Sequence, residues 1–358
     1  MKRTLAVIAA VLLMAGLAAC TSNNSSGGVT SGKGESTGGG TTTPTTQPIW
    51  ERFDYNGLTG QYDMEKGSPN RPIALMVPND SLSIGHQVGI DKADLYLECE
   101  TEGGIPRLMA VFAGVERVPE KVGPLRSARS PFVAVARALG VIYCHAGGSG
   151  PAKDTLKTGV LDHFDALTDS KTFWRDEGLK AEMDYVHSLA TSGEKLAAKI
   201  AKSGYAPAKQ KELPFTFGTK TGTDTANRVQ VNTTANHRVS FLYDAETGLY
   251  GKHVGKLSSC TPHTTQDGTL ITATNVLVLY ATKVVETTYA NGTVLYDFKT
   301  GEGTGYLFSG GTYREITYTR TADSLSLRET DGATAEFAPG KIYMVLVDKK
   351  LASKQIVE

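Results

Sequence analysis

The chain has 358 residues, of which 40% are apolar and 21% are charged, and this length can form two domains with hydrophobic cores. Its 37 basic side chains are balanced by 37 acidic ones. The sequence therefore lacks the basic excess of nucleic-acid-binding proteins, and we expect no nucleic acid among its partners.

Residues 1–19 have the features of a bacterial lipoprotein signal peptide. Two basic residues at 2–3 precede an apolar stretch, 5–19, that is too short to span a membrane comfortably. The stretch ends in Leu-Ala-Ala-Cys at 17–20, a sequence that resembles a lipobox. An ordinary secretory peptide is the alternative. The lipobox predicts cleavage before Cys20, lipidation of Cys20 with diacylglycerol and palmitate, and anchoring to the outer face of the bacterial cytoplasmic membrane.

Residues 20–49 carry this cysteine and a segment rich in serine, threonine and glycine. The segment has almost no apolar side chains, so it cannot bury enough surface to offset the entropy lost on ordering. It predicts a flexible tether between the membrane and a folded region that begins at about Trp50.

Residues 50–212 mix predicted strands and helices, as expected of an α/β domain. Apolar residues alternate in the strands and recur at helical spacing in the helices, and glycines mark the ends. The predicted elements are strands at 71–79 and 141–145, a hairpin over 94–114 that turns at Gly103-Gly104, and helices over 130–140, from Pro151, and over 193–204.

Residues 213–358 are dominated by alternating apolar and polar residues, which predicts a mostly antiparallel β domain. Asn291-Gly292 and Asp331-Gly332 are dipeptides that favour tight hairpin turns. The predicted boundary between the two domains is the segment 205–214. The overall expectation is an α+β fold with a mixed N-terminal domain and a β-rich C-terminal domain.

Three cysteines remain beyond Cys20, namely Cys99, Cys144 and Cys260, and an odd number leaves at least one unpaired. Cys99 and Cys144 lie in predicted strands and could form a disulfide if those strands were adjacent. Three buried small hydrophobic side chains are the more common explanation. The spacing fits no zinc site, and neither a metal nor a cofactor is predicted.

Segment 123–131, Gly-Pro-Leu-Arg-Ser-Ala-Arg-Ser-Pro, places Arg126 and Arg129 three residues apart just before a predicted helix. Two guanidinium groups at this spacing require a negative partner, and Arg107 on the return strand of the hairpin can join them. That partner is either a bound anion or a carboxylate of the protein itself. The candidate carboxylates are Asp94, Glu98, Glu100 and Glu102.

A second candidate element follows the strand that ends at His145. Gly147, Gly148 and Ser149 form a glycine-rich loop before a helix, an arrangement that can direct main-chain N–H groups at an anion. A tight turn without a ligand explains the loop equally well. His145 could donate to such an anion or shuttle a proton, although a simple structural hydrogen bond is more common.

Three functions fit these residues. The first is a binding or accessory protein that recognises an anionic group of the cell envelope. The second is an envelope hydrolase with Glu98 or His145 as base and the arginines stabilising an oxyanion. The third is a scaffold that binds an envelope protein through the β-rich domain. No nucleophile–base motif assigns catalytic residues, so the sequence favours binding.

The segments 71–79, 89–112, 121–133 and 141–150, in this order, resemble the YerB-like lipoproteins, also called the DUF3048 family. Segments of the second half, including Gly-Thr-Gly-Tyr-Leu-Phe-Ser-Gly-Gly at 303–311, are similar to that family's C-terminal domain. The resemblance implies an exported, often lipid-anchored protein of two domains, and it supplies no reaction. Positions that match the family's motifs are Asp94, Glu98, Arg107, Arg126, Arg129, His145, Gly147 and Gly148.

Two segments depart from that family pattern. Residues 83–90 have Gly85-His86 where members tend to have Arg-Pro, and residues 180–189 lack the members' Pro-His-Asn stretch. If these segments lie at a ligand site, the ligand of this chain differs from that of other members.

Overall fold

The computed structural model describes residues 47–358, and the predicted signal peptide, the Cys20 lipidation site and most of the tether lie outside the described residues. Helices are short in this range, and none of them is long and apolar enough to cross a membrane. They are α1 (Ile49–Arg52), α2 (Ser130–Leu139), α3 (Gly150–Lys157), α4 (Glu177–Glu182) and α5 (Gly193–Ser203), with 3₁₀ helices at Ile90–Lys92, Val115–Arg117 and Lys349–Lys354.

Strands of the first half alternate with these helices. They are β1 (Asp54–Asn56), β2 (Gln61–Met64), β3 (Ile73–Val77), β4 (Leu95–Glu102), β5 (Ile105–Phe112), β6 (Ile142–His145), β7 (His163–Asp165), β8 (Trp174–Arg175) and β9 (Leu189–Ala190).

Strands make up nearly all the regular structure of the second half. They are β10 (Thr216–Phe217), β11 (Asp224–Thr225), β12 (Arg228–Asn232), β13 (Arg238–Asp244), β14 (Leu249–Val254), β15 (Thr261–Pro262), β16 (Thr272–Ala273), β17 (Asn275–Ala281), β18 (Lys283–Thr288), β19 (Val294–Phe298), β20 (Gly301–Ser309), β21 (Thr312–Arg320), β22 (Leu325–Glu329), β23 (Glu336–Phe337), β24 (Ile342–Asp348) and β25 (Ile356–Val357).

The α+β fold class is confirmed, and the predicted hairpin over 94–114 is the pair β4–β5. Its two-residue turn is Gly103-Gly104, with φ of 64° and 73°. A type I′ turn needs positive φ at both central positions, and glycine adopts that conformation without a steric penalty.

The predicted helices are also confirmed as α2 and α5. Each ends at a glycine in the left-handed conformation, Gly140 with φ of 64° and Gly204 with φ of 78°. The missing Cβ allows this conformation, which satisfies the last carbonyls of a helix. In α3, Pro151 lies in the first turn, where its missing N–H has no helical partner to lose.

One 13-stranded sheet combines strands from both halves of the chain. At its centre β24 pairs in parallel with β4, so a C-terminal strand lies directly beside the first strand of the β4–β5 hairpin. On its other side β24 pairs with β17, also in parallel. The two halves of the chain share this sheet. The division into domains at residue 212 stays a prediction.

The central strands are buried on both faces of the sheet, as parallel strands usually are. In β4, Leu95 and Leu97 pack toward α2 and α3, whereas Tyr96 points to the opposite face and stacks on Tyr343 with ring centroids 5.2 Å apart. That opposite face is covered by a six-stranded sheet formed by β12 to β16 and β25, and by α5.

Cys99 and Cys144 are buried and unpaired, as the explanation by small hydrophobic side chains predicts, and Cys260 is also a free thiol. The disulfide between Cys99 and Cys144 does not form because β5 and β3 separate their strands in the sheet. The two thiols also belong to the cores on opposite faces.

Candidate functional site

A β-bulge decides which carboxylate meets the arginines. Strands β4 and β5 keep one antiparallel register up to Glu100, and the register then shifts by one residue before Glu102. Strict alternation would place Glu102 on the face of Glu98. The extra residue, Thr101, instead brings Glu102 to the face of the hairpin where Arg107 lies.

Glu102 binds two of the three candidate arginines. Arg129 donates from Nε to Oε2 at 2.8 Å and from Nη2 to Oε1 at 2.6 Å, and Arg107 Nη2 donates to the same Oε1. Burial opposes ionisation of Glu102, but the bonds and charges of these arginines outweigh it and hold the pKa of Glu102 below its usual range. Arg107 and Arg129 therefore hold a carboxylate of the protein itself.

Asp94 is partnered elsewhere, so its expected place beside the candidate arginines is corrected. The carboxylate accepts hydrogen bonds from Arg117 Nε at 2.9 Å and Arg117 Nη2 at 2.7 Å, and from the Ala113 N–H at 2.9 Å. It fixes the start of β4 to the 3₁₀ turn after β5, which is a structural role.

Glu98 is also corrected, because it faces the C-terminal half. It is fully buried and lies 2.9 Å from Lys252 Nζ, and it accepts a hydrogen bond of 2.5 Å from the Tyr343 hydroxyl. Lys252 Nζ lies 2.7 Å from Nδ1 of His263, whose Nε2 lies 2.6 Å from Oε1 of Gln87. Burial opposes ionisation of Glu98, but the Lys252 charge outweighs it and lowers the pKa of Glu98. The fourth carboxylate considered, Glu100, lies 2.6 Å from Lys283.

His145 is paired with a second histidine. Its Nδ1 donates to the Gly147 carbonyl at 2.7 Å, which leaves Nε2 as the acceptor for His163 Nδ1 at 3.0 Å. Burial lowers the pKa of His145 to about 4, so the ring is neutral at pH 7. His145 is 1% exposed and Glu98 is fully buried, so neither candidate base of the hydrolase alternative reaches solvent.

The glycine loop uses its main-chain donors within the protein. The Gly147 N–H donates to Asp165 Oδ1 at 2.8 Å, and the Ser149 N–H donates to the Ala128 carbonyl at 3.2 Å. Gly148 forms a parallel bridge with Ala128. The loop therefore joins segment 123–131 to β6, and the fold itself occupies two of the three amides expected to face an anion, those of Gly147 and Ser149.

Arg126 differs from its two neighbours. Its main chain is fixed, because the N–H donates to Met76 at 2.8 Å and the carbonyl accepts from Ala146 at 3.0 Å. Its guanidinium has no hydrogen-bond or ion-pair partner within residues 47–358 and lines a cavity of about 110 Å³. One water needs about 10–15 Å³ by this measure, so the space admits a small anionic group.

The cavity contains buried polar groups that the protein does not satisfy. Asn79 is 2% exposed, and neither its Nδ2 nor its Oδ1 forms a hydrogen bond with the described residues. A buried polar atom left unpaired costs about 1–3 kcal/mol. The cavity is lined by Pro78, Asn79, Asp80, Thr101, Glu102, Ile105, Pro106, Arg107 and Arg126.

The charges around this cavity favour an anion. Arg107 and Arg126 line the cavity, and Arg129 joins Arg107 in its ion pair with Glu102. Burial and the positive charges of Arg129 and Arg126 lower the pKa of Arg107 to about 10 despite the opposing charge of Glu102. A bound anion would relieve this repulsion.

Asp80, the other carboxylate at the cavity, is paired with His187 at 3.3 Å. Burial opposes ionisation of Asp80, but its hydrogen bonds and the His187 charge outweigh that and lower the pKa of Asp80 to about 2. The His187 pKa is raised by the same hydrogen bond and by a second carboxylate, Asp184, at 2.9 Å. Asp80 therefore pairs with His187 and forms no ion pair with Arg126.

Sequence reasoning missed Asn79, Asp80 and His187. A signal for the first two was present, because Pro78-Asn79 follows a buried strand and polar residues at strand ends often form sites. His187 could not be found in this way, since it lies 107 positions from Asp80 along the chain.

A larger groove of about 820 Å³ runs between β7 and α5, where His163 and the lysines of α5 line it. Lys199 is paired with Asp169 at 2.8 Å, and Lys195 donates to the Lys171 carbonyl at 3.2 Å. None of the predicted site residues lines this groove. Within residues 47–358, no group of three acidic, histidine or cysteine side chains is placed to hold a metal ion.

Two models of one protein family match this chain. The family model described as "Protein of unknown function (DUF3048) N-terminal domain" matches residues 58–206, and that of the DUF3048 C-terminal domain matches residues 229–344. Together these models cover more than half of the chain, which therefore belongs to the DUF3048 family.

A particular relative can also be named. The chain is 29% identical over 296 residues to a Bacillus subtilis (strain 168) protein called "Putative lipoprotein YerB", covering 81% of this chain and 85% of that protein. The crystal structure of the YerB protein from Bacillus subtilis superposes with a TM-score of 0.71 at 27% identity. It covers 85% of this chain and 99% of that structure.

Proposed function

We propose that this chain is a lipid-anchored lipoprotein outside the cytoplasmic membrane whose folded part binds an anionic group of the cell envelope. The lipobox ending at Cys20 and the similarity to a protein named as a lipoprotein support the anchor. The binding site is the cavity beside Arg126, and Arg107 supplies a second guanidinium to it.

One observation carries the binding proposal. Of the three candidate arginines, Arg107 and Arg129 are both paired with Glu102, whereas Arg126 has no partner in residues 47–358 and lines a cavity with an unsatisfied Asn79. A guanidinium and a buried amide without partners are what an anion-binding site leaves open in the absence of its ligand.

The test is calorimetric titration of the full lipidated chain in detergent with sodium acetate and with sodium phosphate. We expect binding by the unaltered chain and an affinity at least about tenfold lower in Arg126→Gln, because a charge-assisted bond contributes about 1.5–3 kcal/mol. Arg52→Gln is the matched control, since Arg52 is exposed. Absence of binding, or equal affinity of wild type and Arg126→Gln, overturns the proposal.

The anchor is tested separately by Cys20→Ser in cells. A lipid on Cys20 predicts that the unaltered chain sediments with membranes and that the variant is released into the soluble extracytoplasmic fraction. Cys260→Ser is the control, because Cys260 is a free thiol in the folded part. Retention of Cys20→Ser in the membrane fraction contradicts the anchor.

A further inference from the structure

The Asn79 side chain indicates that the ligand carries a hydrogen-bonding group as well as a negative charge. Both of its polar atoms are buried and unpartnered among residues 47–358, and Asn79 lines the same cavity as Arg126. Its carboxamide therefore has two N–H donors and an acceptor oxygen that the protein leaves unpaired. A simple anion can satisfy an N–H donor and the guanidinium. It cannot satisfy the Asn79 Oδ1 acceptor, which requires an N–H or O–H group on the ligand.

We propose that the ligand is the C-terminal end of a peptide, with its carboxylate on Arg126 and its last amide group on Asn79. This rests on the function proposed above and specifies the ligand class. A carboxamide side chain can pair with a peptide group in two hydrogen bonds, donating to the C=O and accepting from the N–H. The terminal carboxylate lies only one residue from that amide, so a small cavity accommodates both.

The other charges of the cavity favour a carboxylate over a phosphate. Glu102 and Asp80 line the same space as Arg126, and each carries a negative charge near neutral pH because its pKa is lowered. A dianionic phosphate would suffer more repulsion from these carboxylates than a monoanionic carboxylate does. A fully ionised phosphate monoester, whose phosphate has no O–H group, would also leave the Asn79 Oδ1 unpaired.

The rim of the cavity fits the side chain of a terminal residue. Ile105 is 49% exposed at the turn end of β5, and Pro106 follows it along the lining. These apolar surfaces stand beside the polar interior, so a small apolar side chain next to the carboxylate would be partly desolvated there.

The experiment compares small probes on the full lipidated chain in detergent by calorimetry. Acetate carries the carboxylate alone, N-acetylglycinamide carries amide groups without charge, and N-acetylglycine carries both. We expect N-acetylglycine to bind at least about tenfold more tightly than acetate, and N-acetylglycinamide to bind most weakly. This comparison needs no variant, so it does not depend on an altered chain folding.

Variants then assign the two contacts. Asn79→Leu preserves side-chain size, and we expect it to abolish the preference for N-acetylglycine while leaving acetate affinity nearly unchanged. Arg126→Gln should weaken both carboxylate probes. Thermal unfolding of each variant is measured in parallel to show that it folds.

The outcomes separate the two proposals. If acetate binds through Arg126 but N-acetylglycine binds no more tightly, the peptide-terminus inference is overturned and anion binding stands. If no anion binds, both are overturned, and the Asn79 cavity holds water only.

Two sources share this chemistry, the peptides of the bacterial cell wall and the C-termini of proteins. N-acetyl-D-alanine and N-acetyl-L-alanine distinguish them, because wall peptides end in D-residues and proteins end in L-residues. Tighter binding of either enantiomer supports the proposal and names the source. Binding of both enantiomers no more tightly than acetate overturns it.

Discussion

Arg126 and Arg129 are three residues apart in one segment and have different roles. Arg129 forms a two-bond pair with Glu102, whereas the Arg126 guanidinium lines the cavity without a partner among residues 47–358. The sequence correctly indicated that this segment needs negative partners. The sequence could not show which arginine pairs with a carboxylate of the protein. That pairing depends on the bulge at Thr101, which no local sequence pattern predicts.

This difference predicts that removing the Glu102 charge lowers stability much more than removing the Arg126 charge does. Glu102→Gln should lower the free energy of unfolding by about 1.5–3 kcal/mol, because it weakens the bonds to two partly buried guanidinium groups. Arg126→Gln should change it by less than about 0.5 kcal/mol, as at sites without a specific contact. Urea denaturation measures both values. A large loss in Arg126→Gln would show that Arg126 is also structural.

His145 predicts a dependence of stability on pH. Its folded pKa of about 4 lies below the usual value near 6.5, so below pH 6.5 the unfolded chain takes up a proton that the buried ring excludes. This group therefore destabilises the fold progressively as pH falls from about 6.5 to 4, by roughly 3 kcal/mol in all.

The measurement is the difference in unfolding free energy between wild type and His145→Gln at pH 7 and pH 4. Part of the wild-type loss should disappear in the variant, because glutamine does not titrate. Buried histidines that do not contact His145, such as His263, contribute equally to both chains and cancel in the difference, whereas its hydrogen-bond partner His163 does not. Parallel pH profiles for the two chains would contradict the assignment.

At the scale of elements, the β4–β5 hairpin with its bulge positions the site. Its strands and its Gly103-Gly104 turn were predictable, since alternation and a diglycine are local signals. The pairing of the hairpin with β24 was not, because that contact joins residues about 250 positions apart. Prediction therefore succeeded for local elements and failed for the partners of Asp94 and Glu98.

The turn provides a test of the hairpin. Gly103 has φ of 64°, and no atom lies within 4 Å of the position that a Cβ would occupy, so only the backbone conformation penalises a side chain. Gly103→Val should destabilise the fold by about 1–2 kcal/mol. Gly103→Asn should be nearly neutral, because asparagine tolerates this conformation. Equal effects of the two substitutions would contradict the turn assignment.

Two segments that depart from the family pattern contact residues that line the cavity. Residues 83–90 contribute Gln87, whose Nε2 donates to the Pro78 carbonyl at 2.7 Å. Residues 180–189 contribute His187, which pairs with Asp80. Differences in these segments can therefore affect the ligand by moving Pro78 and Asp80, which line the cavity.

At the scale of the whole molecule, the buried Glu98–Lys252 pair joins the two halves of the chain. Both side chains are almost fully buried, and Glu98 lies on β4 while Lys252 lies on β14. From the sequence, Glu98 is a candidate partner of the arginines and a candidate base. The covering six-stranded sheet, which no local signal predicted, makes it a core residue instead.

A double-mutant cycle tests this connection. Glu98→Gln and Lys252→Met should each lower the free energy of unfolding by about 3–5 kcal/mol, because each leaves a charge buried without its partner. The double variant should lose less than the sum of the two. Additive losses would show that the two charges do not interact.

Both proposals require that an anion bind in the cavity beside Arg126 and Asn79. A crystal structure of the protein grown with sodium bromide tests this binding, because the anomalous signal of bromide distinguishes an anion from water. We expect a bromide in the cavity, in contact with the Arg126 guanidinium. Water alone in the cavity, with Arg126 paired to Asp80 or Glu102, would contradict it.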